Sequence, residues 1–571
     1  MIERSFNDPD LWNNDHPIIL VHGYCGSTMD ENWILGGYFH YAFSKTARYL
    51  GIDEQTLQPI YMNNIYEADV SPIGSAFDRA CELYQQIIGE ERIRQIAQEQ
   101  DISLAEAVYG KTHVKDHHRN KFYKIKYLKT QEAESKRMYA FPNGLPGWNN
   151  EKIKKIHFVG HSMGAITVRY FQYLLEIGYF DEIAGKPKSD KSKIVASLTC
   201  LSGANNGSLI VNNCGLQYDR ELSDWILKKN GRMILAFKMN VFFQNIYQSQ
   251  NYQLERIYRK ILENDGTHKY ELSYQYQNPI LYDMNVEMWD WNRKDNESRY
   301  NHLTRLYNEQ FQVESKDLSF VDLNPQGLIR LNQFLKTNQN TYYFGITNGF
   351  QDKNRTENRE VFTLPQHISR KSIGFDLDVD QDINFKNTEL KKYNRRKRTF
   401  FEKLQYKVAL FMKYLMNPTF SHFSFFYETQ TQVDALQSHL SNLKNEKMNN
   451  VEAIDYVNKD WTEDNDVCIS RKSTEFPRLN FNYSNLSHED KPWGNQGDPQ
   501  LIDFYDHPIF TKDCLKPGIW YYGGIPKSDH LDLCGFPPKL SPIRTLLNTE
   551  YRMEIWRNIF IRVKMLKFDE L

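Results

Sequence analysis

The chain has no run of about 18 apolar residues, the length a helix needs to cross a bilayer, so no transmembrane helix is expected. It has no bias of charge either. Lys and Arg number 71 against 72 Asp and Glu, a formal net charge of -1, which offers no electrostatic footing for bulk nucleic-acid binding. Paired cysteines are missing as well. Cys25, Cys81, Cys200, Cys214, Cys468, Cys514 and Cys534 are odd in number and widely spaced, with no C-x-x-C pair. A disulfide framework and a cysteine-type zinc site are therefore not expected. Residues 1–15 are polar and acidic, without the apolar stretch of a secretory leader, and no leader is expected there, although a chain that had lost one would read the same way. Compartment and oligomeric state are left open.

What is present is size, aromatic surface and one informative turn. At 571 residues the chain exceeds a minimal domain, so two units, or one core with large insertions, is the expectation. Aromatic residues make up 14% of it, enough for a core and an apolar binding surface. The organising stretch runs from Lys155 to Ala165. Ile156, Phe158 and Val159 suit a buried strand, and Ala165 to Glu176 reads as a mostly apolar helix with Gly178 as its natural cap. Between them, Gly160-His161-Ser162-Met163-Gly164 is the strand–turn–helix pattern of a nucleophile elbow. The glycines answer to a turn too sharp for side chains. Ser162 is thereby lifted to the carboxyl end of the sheet, where ligands sit in open α/β folds.

Around the elbow other pieces fall in order. Pro17 to Val21 is a continuous apolar run, hence a buried parallel strand, and it ends in His22-Gly23-Tyr24. The backbone N–H groups of Tyr24 and Met163 would then form an oxyanion hole, each worth about 3 kcal/mol. Asp78 to Tyr84 opens a helix. A polar stretch from Tyr109 to His113, with His117 and His118 behind it, reads either as a metal cluster or, more commonly, as solvated surface. Ile194 to Leu201 reads as a strand leading into Ser202-Gly203-Ala204-Asn205-Asn206-Gly207-Ser208. Residues 208–300 are helical in pattern and apolar, a lid or an ordinary core helix. A helix with Leu328 and Leu331 precedes a strand at Thr341 to Gly345. From 351 to 454 the composition turns polar, with a basic stretch (Lys391 to Lys407) beside an apolar stripe that either lies on an anionic membrane surface or packs on the domain. Finally, Asp466 and His530 follow Ser162 in the chain order nucleophile, acid, histidine. Composition alone does not single out His530 among 16 histidines.

Several of these segments resemble one family, the large metal-containing triacylglycerol lipases of staphylococci and thermophilic bacilli. The similar pieces are Pro17 to Gly23, Asp78-Arg79-Ala80-Cys81-Glu82, Gly160 to Gly164, Gly203 to Ser208, Leu331 to Phe334 with Thr341 to Tyr343, Trp461 to Asp466, and Asp529-His530-Leu531. They occur in the family's order across nearly the whole chain. The resemblance implies a triad of Ser162, Asp466 and His530. Val467 stands where the family has glycine after the acid, and Asp464 is a rival for that role. It also implies a zinc held by Asp78, His113, His118 and Glu287. His118 matches only with a one-residue shift, and Glu287 replaces an aspartate. Of the family's calcium ligands Asp532 fits one, but Pro537 stands where an aspartate belongs, so calcium is not expected. The family is secreted.

The expectation is therefore an α/β-hydrolase with a mostly parallel central sheet flanked by helices. Residues 1–350 and 455–571 would form its core, 208–300 a helical lid, and 351–454 a polar insertion. The expected activity is carboxyl-ester hydrolysis, as a lipase on acylglycerols at a lipid–water interface, with peripheral contact to a membrane or lipid droplet. A phospholipase or generalist esterase, an acyltransferase, and an inactive lipid-binding protein are the alternatives.

Overall fold

The computed structural model describes residues 14–117, 155–227, 319–348 and 469–568, less 25, 27–37, 40, 53–55, 57, 69, 72–73, 209–210, 212–215, 220–223, 470, 480–491, 505–507, 509–513, 526–529, 531–532 and 535–548. Its strands are β1 (Ile18–Val21), β2 (Tyr49–Ile52), β3 (Pro59–Tyr61), β4 (Ile65–Ala68), β5 (Ile156–His161), β6 (Val195–Leu201), β7 (Leu216–Asp219), β8 (Asp224–Leu227), β9 (Tyr342–Asn348), β10 (Gln500–Leu501) and β11 (Trp520–Ile525). Seven of them form one sheet in the order β10-β11-β9-β6-β5-β1-β4. Every neighbouring pair in it is parallel. This is the α/β-hydrolase architecture that the elbow requires.

The run Ile18-Ile19-Leu20-Val21 explains why β1 lies inside the sheet. Both of its faces are covered, and a parallel strand buried on two sides is apolar throughout rather than alternating. Ile19 and Val21 point into one core, shared with Phe158, Phe171 and Leu174. Ile18 and Leu20 point into the other, shared with Phe344, Trp556 and Phe560. Helices α2 (Ala76–Ile88) and α6 (Met163–Glu176) cover the first face, and α1 (Lys45–Arg48) with the helix Thr549–Met565 covers the second. Gly178 takes a left-handed φ of 67° after the end of α6, as its sequence position implies.

The polar stretch at 109–113 joins two helices: α3 (Glu90–Gln100) is followed by α4 (Leu104–Tyr109), then Gly110 with a φ of 81°, then α5 (Lys111–His117). The start of α4 is capped. Ser103 accepts from the Glu106 N–H while the Glu106 carboxylate accepts from the Ser103 N–H, closing a capping box. Within 208–300, β7 and β8 pair antiparallel as a hairpin rather than a helix. Tyr218, Trp225 and Ile226 are strand-favouring residues, and their local preference decides. The remainder of 228–300, and the whole of 351–454, lie outside the described residues.

Candidate active site

Ser162 directly follows β5 and precedes α6, with φ 54° and ψ −120°. Such angles are costly for a residue with a side chain and persist only where the surroundings enforce them. The enforcement is visible. The Ser162 N–H donates to the Leu201 carbonyl (3.0 Å), and its own carbonyl accepts from the N–H groups of Ala165 (3.3 Å) and Ala204 (3.2 Å). A Cβ on Gly164 would stand 2.0 Å from the Val21 carbonyl oxygen, and one on Gly160 would stand 2.6 Å from the Ala165 nitrogen. No side chain fits either place, so β1, β5 and α6 close on one another only with glycine there. Met163 begins α6, and its N–H is among the donors that a helix start leaves unclaimed by the helix itself.

The strand end His22-Gly23-Tyr24 lies against this turn. A Cβ on Gly23 would come 2.8 Å from the Ser162 Cβ and 2.8 Å from the Tyr38 hydroxyl. Arg79, fully buried on α2, binds the loop to the elbow. Its guanidinium donates to the carbonyls of His22 and Ser71, and its Nε donates to the Thr167 hydroxyl (2.9 Å), which in turn donates to the Met163 carbonyl (3.1 Å). One cation thus fixes the backbone beside both prospective oxyanion donors. Its charge lies close to Asp78 and Glu82. Burial, then the Asp78 carboxylate, pushes Glu82 up to about 8, against the pull of the Ser71 N–H and Arg79.

His530 is buried and follows β11 by five residues, at the same carboxyl edge. Its backbone carbonyl lies 2.7 Å from Nε2 of His161, and the two imidazole centroids are 4.6 Å apart. A carbonyl only accepts, so His161 carries its hydrogen on Nε2. Burial, then the neighbouring His530, holds His161 well below its ordinary value and keeps it neutral. Its Nδ1 is then an acceptor, and the Tyr38 hydroxyl 2.7 Å away donates to it. The same hydroxyl oxygen accepts from the Gly23 N–H at 3.1 Å.

The structure brings Ser162, Met163, Tyr24 and His530 to one edge of the sheet. A serine hydroxyl on a strained turn, a helix-start N–H, a loop N–H and an imidazole together suit acyl transfer. Asp78 and His113 also come together, with Oδ1 and Nε2 2.7 Å apart. Asp466, its rival Asp464, His118 and Glu287 lie outside the described residues, and no group of three or more metal-ligating side chains occurs among the described residues. The chain enters 349–468 from the carboxyl end of β9 and leaves it just before the short helix Arg471–Glu475. That helix packs on the same strand: a Cβ on Gly345 would meet the Glu475 carbonyl at 1.9 Å.

Three residues of this site were not singled out by the sequence. His161 is the variable position of the elbow pattern, Tyr38 lies in a stretch without periodicity, and Arg79 was only one letter of a matched helix. Their signal is a buried polar group that requires partners, which only the fold reveals.

A family described as lipase-like, C-terminal domain, matches residues 14–272. Lipase 1 of Staphylococcus aureus (strain Mu50 / ATCC 700699) is 24% identical over 366 residues, 62% of this chain and 41% of that protein. A lipase of Staphylococcus epidermidis is 26% identical over 353 residues, 60% of this chain and 38% of that one. The chain thus spans about two fifths of these relatives' length. Among solved structures, Staphylococcus hyicus lipase aligns with a TM-score of 0.47 at 16% identity over 97% of both chains. EstA from Clostridium botulinum aligns with a TM-score of 0.48 at 17% identity, over 98% of this chain and 89% of that one. No helix among the described residues is long and apolar enough to cross a membrane. The matched span takes in the His-Gly strand end, the Asp78 helix and the elbow alike.

Proposed function

We propose that the protein is a serine carboxyl-ester hydrolase, a triacylglycerol lipase that works through an acyl-enzyme on Ser162. One observation carries the reading: Ser162 is held in a strained conformation at the carboxyl edge of the sheet, and the buried His530 lies against His161, the residue just before it. In this reading His530 takes the Ser162 proton as the hydroxyl attacks the ester carbonyl. The N–H groups of Tyr24 and Met163 receive the oxyanion. His530 returns the proton to the leaving alcohol and then activates the water that releases the fatty acid. Asp466 would orient His530. Its place in the chain order nucleophile, acid, histidine supports that role.

A zinc belongs to the same proposal. Asp78 and His113 already face each other and are suitable ligand types, and His118 and Glu287 would complete a set of four. Bound there, the ion would be structural, clamping α2 to α5. The region 208–300 is proposed as the lid and the basic stretch 391–407 as a contact to anionic lipid at the interface.

The test compares a soluble short-chain ester with an emulsified long-chain triglyceride, each with and without a zinc chelator, for the wild type and Ser162→Ala. Activity that rises sharply on the emulsion and vanishes in Ser162→Ala is expected, and the chelator should lower thermal stability. Activity on the soluble ester alone would replace the lipase with a small-substrate esterase. Retained turnover in Ser162→Ala would overturn the mechanism.

A further inference from the structure

We propose that Tyr38 and His161 are positioning residues for catalysis, forming a hydrogen-bonded relay that sets the oxyanion loop, the elbow and the general base against one another. The inference rests on the serine-hydrolase reading above and deepens it. The relay runs in one direction. The Gly23 N–H donates to the Tyr38 hydroxyl (3.1 Å), that hydroxyl donates to His161 Nδ1 (2.7 Å), and His161 Nε2–H donates to the His530 carbonyl (2.7 Å). Gly23 precedes the prospective oxyanion donor Tyr24, His161 precedes the nucleophile, and the last acceptor is the backbone of the general base itself. Three loops distant in sequence, each bearing one reactive group, are joined by two side chains.

The geometry leaves His161 no other protonation state. A neutral ring with its proton on Nδ1 would set a bare Nε2 against the His530 carbonyl oxygen, two acceptors 2.7 Å apart, and a doubly protonated ring would stand 4.6 Å from an imidazole that becomes cationic during acylation in this reading. Burial pushes the same way, since His161 is fully enclosed and its other charged or titratable neighbours are His530 and His22. The Tyr38 ring is likewise buried and packs edge-on to His161 and Phe39. The relay is therefore rigid. Displacing a reacting group by as little as 1 Å costs on the order of a hundredfold in rate.

The experiment uses the full chain and a soluble ester, p-nitrophenyl butyrate, with Tyr38→Phe, His161→Leu, His161→Gln and the pair Tyr38→Phe with His161→Leu. Gln keeps an N–H where Nε2–H was, whereas Leu offers none. The expected result is a fall in kcat of about tenfold to a hundredfold for Tyr38→Phe and His161→Leu with KM within about twofold. His161→Gln should recover most of the loss, and the double variant should be no slower than the slower single one. Wild-type kcat in the two single variants overturns the proposal, and so does Gln rescuing no better than Leu at equal melting temperature. Side-chain ¹⁵N NMR of the wild type decides independently of turnover: His161 should be a neutral Nε2–H tautomer, and an Nδ1–H or cationic ring overturns the relay. An inactive wild type, or an active Ser162→Ala, overturns instead the hydrolase reading on which the relay's role depends.

Discussion

His157 and His161 lie on the same strand, four residues apart, so the two-residue period of β5 turns both to one face. Both are fully buried, and both are held well below their ordinary value of 6.5, with burial as the chief cause. Both use both ring nitrogens. His157 Nε2–H donates to the Asn14 side-chain oxygen (2.9 Å), and its Nδ1 accepts from the Ser197 hydroxyl (2.8 Å). The Asn14 amide is fixed because its nitrogen donates to the carbonyls of Val563, Lys564 and Leu566. The difference is what each histidine holds. At the amino end of the strand the partners are an asparagine amide anchored to a packed helix end and a strand hydroxyl, which do no chemistry. At the carboxyl end the partners are the Tyr38 hydroxyl and the backbone of His530, the proposed general base. A buried, fully bonded histidine is structural by default. It becomes functional through the residue that it restrains.

The comparison breaks most sharply on turnover. His530→Ala should lower kcat by a factor on the order of 10⁵ to 10⁶ with little change in melting temperature, whereas His157→Leu should leave kcat per folded molecule unchanged. Active-site titration with a fluorophosphonate, alongside initial rates, separates the two. Next in size is Gly164→Ala. With the Val21 carbonyl 2.0 Å from the added methyl, the elbow must open, and urea unfolding should show a loss of about 3 kcal/mol or more. An alanine tolerated there would mean that the carboxyl end is not held by close packing. His157→Leu removes the partner of the Ser197 hydroxyl and one of the two donors to the Asn14 oxygen at the other end, at a cost of about 1 to 3 kcal/mol by the same measurement. The smallest effect is in pH. Both histidines titrate lower when folded than unfolded, so below pH 6.5 the unfolded chain binds more protons. Their contribution to stability is present above that pH and is lost as the pH falls. His157→Gln removes one such group and should flatten the acid-side slope by up to about 1.4 kcal/mol per pH unit. An unchanged slope would show that His157 is not kept neutral by its surroundings.

The sequence was most legible where one short segment carries a whole structural demand. The apolar run of β1, the glycines at 160 and 164 and the cap at Gly178 each answer to local geometry, and each is found where that geometry requires it. It was least legible where partners are distant. Nothing around Tyr38 predicts that it meets His161, because their pairing is a product of β1 lying beside β5. The Asp78 helix was visible as a matched motif, yet the work of Arg79 in holding the His22 carbonyl depends on α2 packing over α6. The hairpin of β7 and β8 lies in a stretch whose apolar content suits a helix, and strand preference prevails there. Asn205, Asn206 and Asn332 show the same limit. Polar letters in a matched motif, they form a buried amide cluster that ties the loop after β6 to the carbonyls of Ser473, Phe476 and Arg478.

Asn14 also bears on the order in which the molecule is built. It precedes the first strand of the sheet, yet its amide is anchored by carbonyls about 550 residues further along. A chain emerging from the ribosome can pair β1, β4, β5 and β6 long before those carbonyls exist. During that interval the amino end of the nascent sheet has its histidine but not the anchor that orients Asn14 toward it. Closure of the ring of contacts joining Asn14, His157 and the helix Thr549–Met565 must therefore await late synthesis. The site at the opposite edge shares that schedule, because His530 too is made late. Maturation of the catalytic edge and sealing of the structural edge are for this reason near-simultaneous events in the life of the chain.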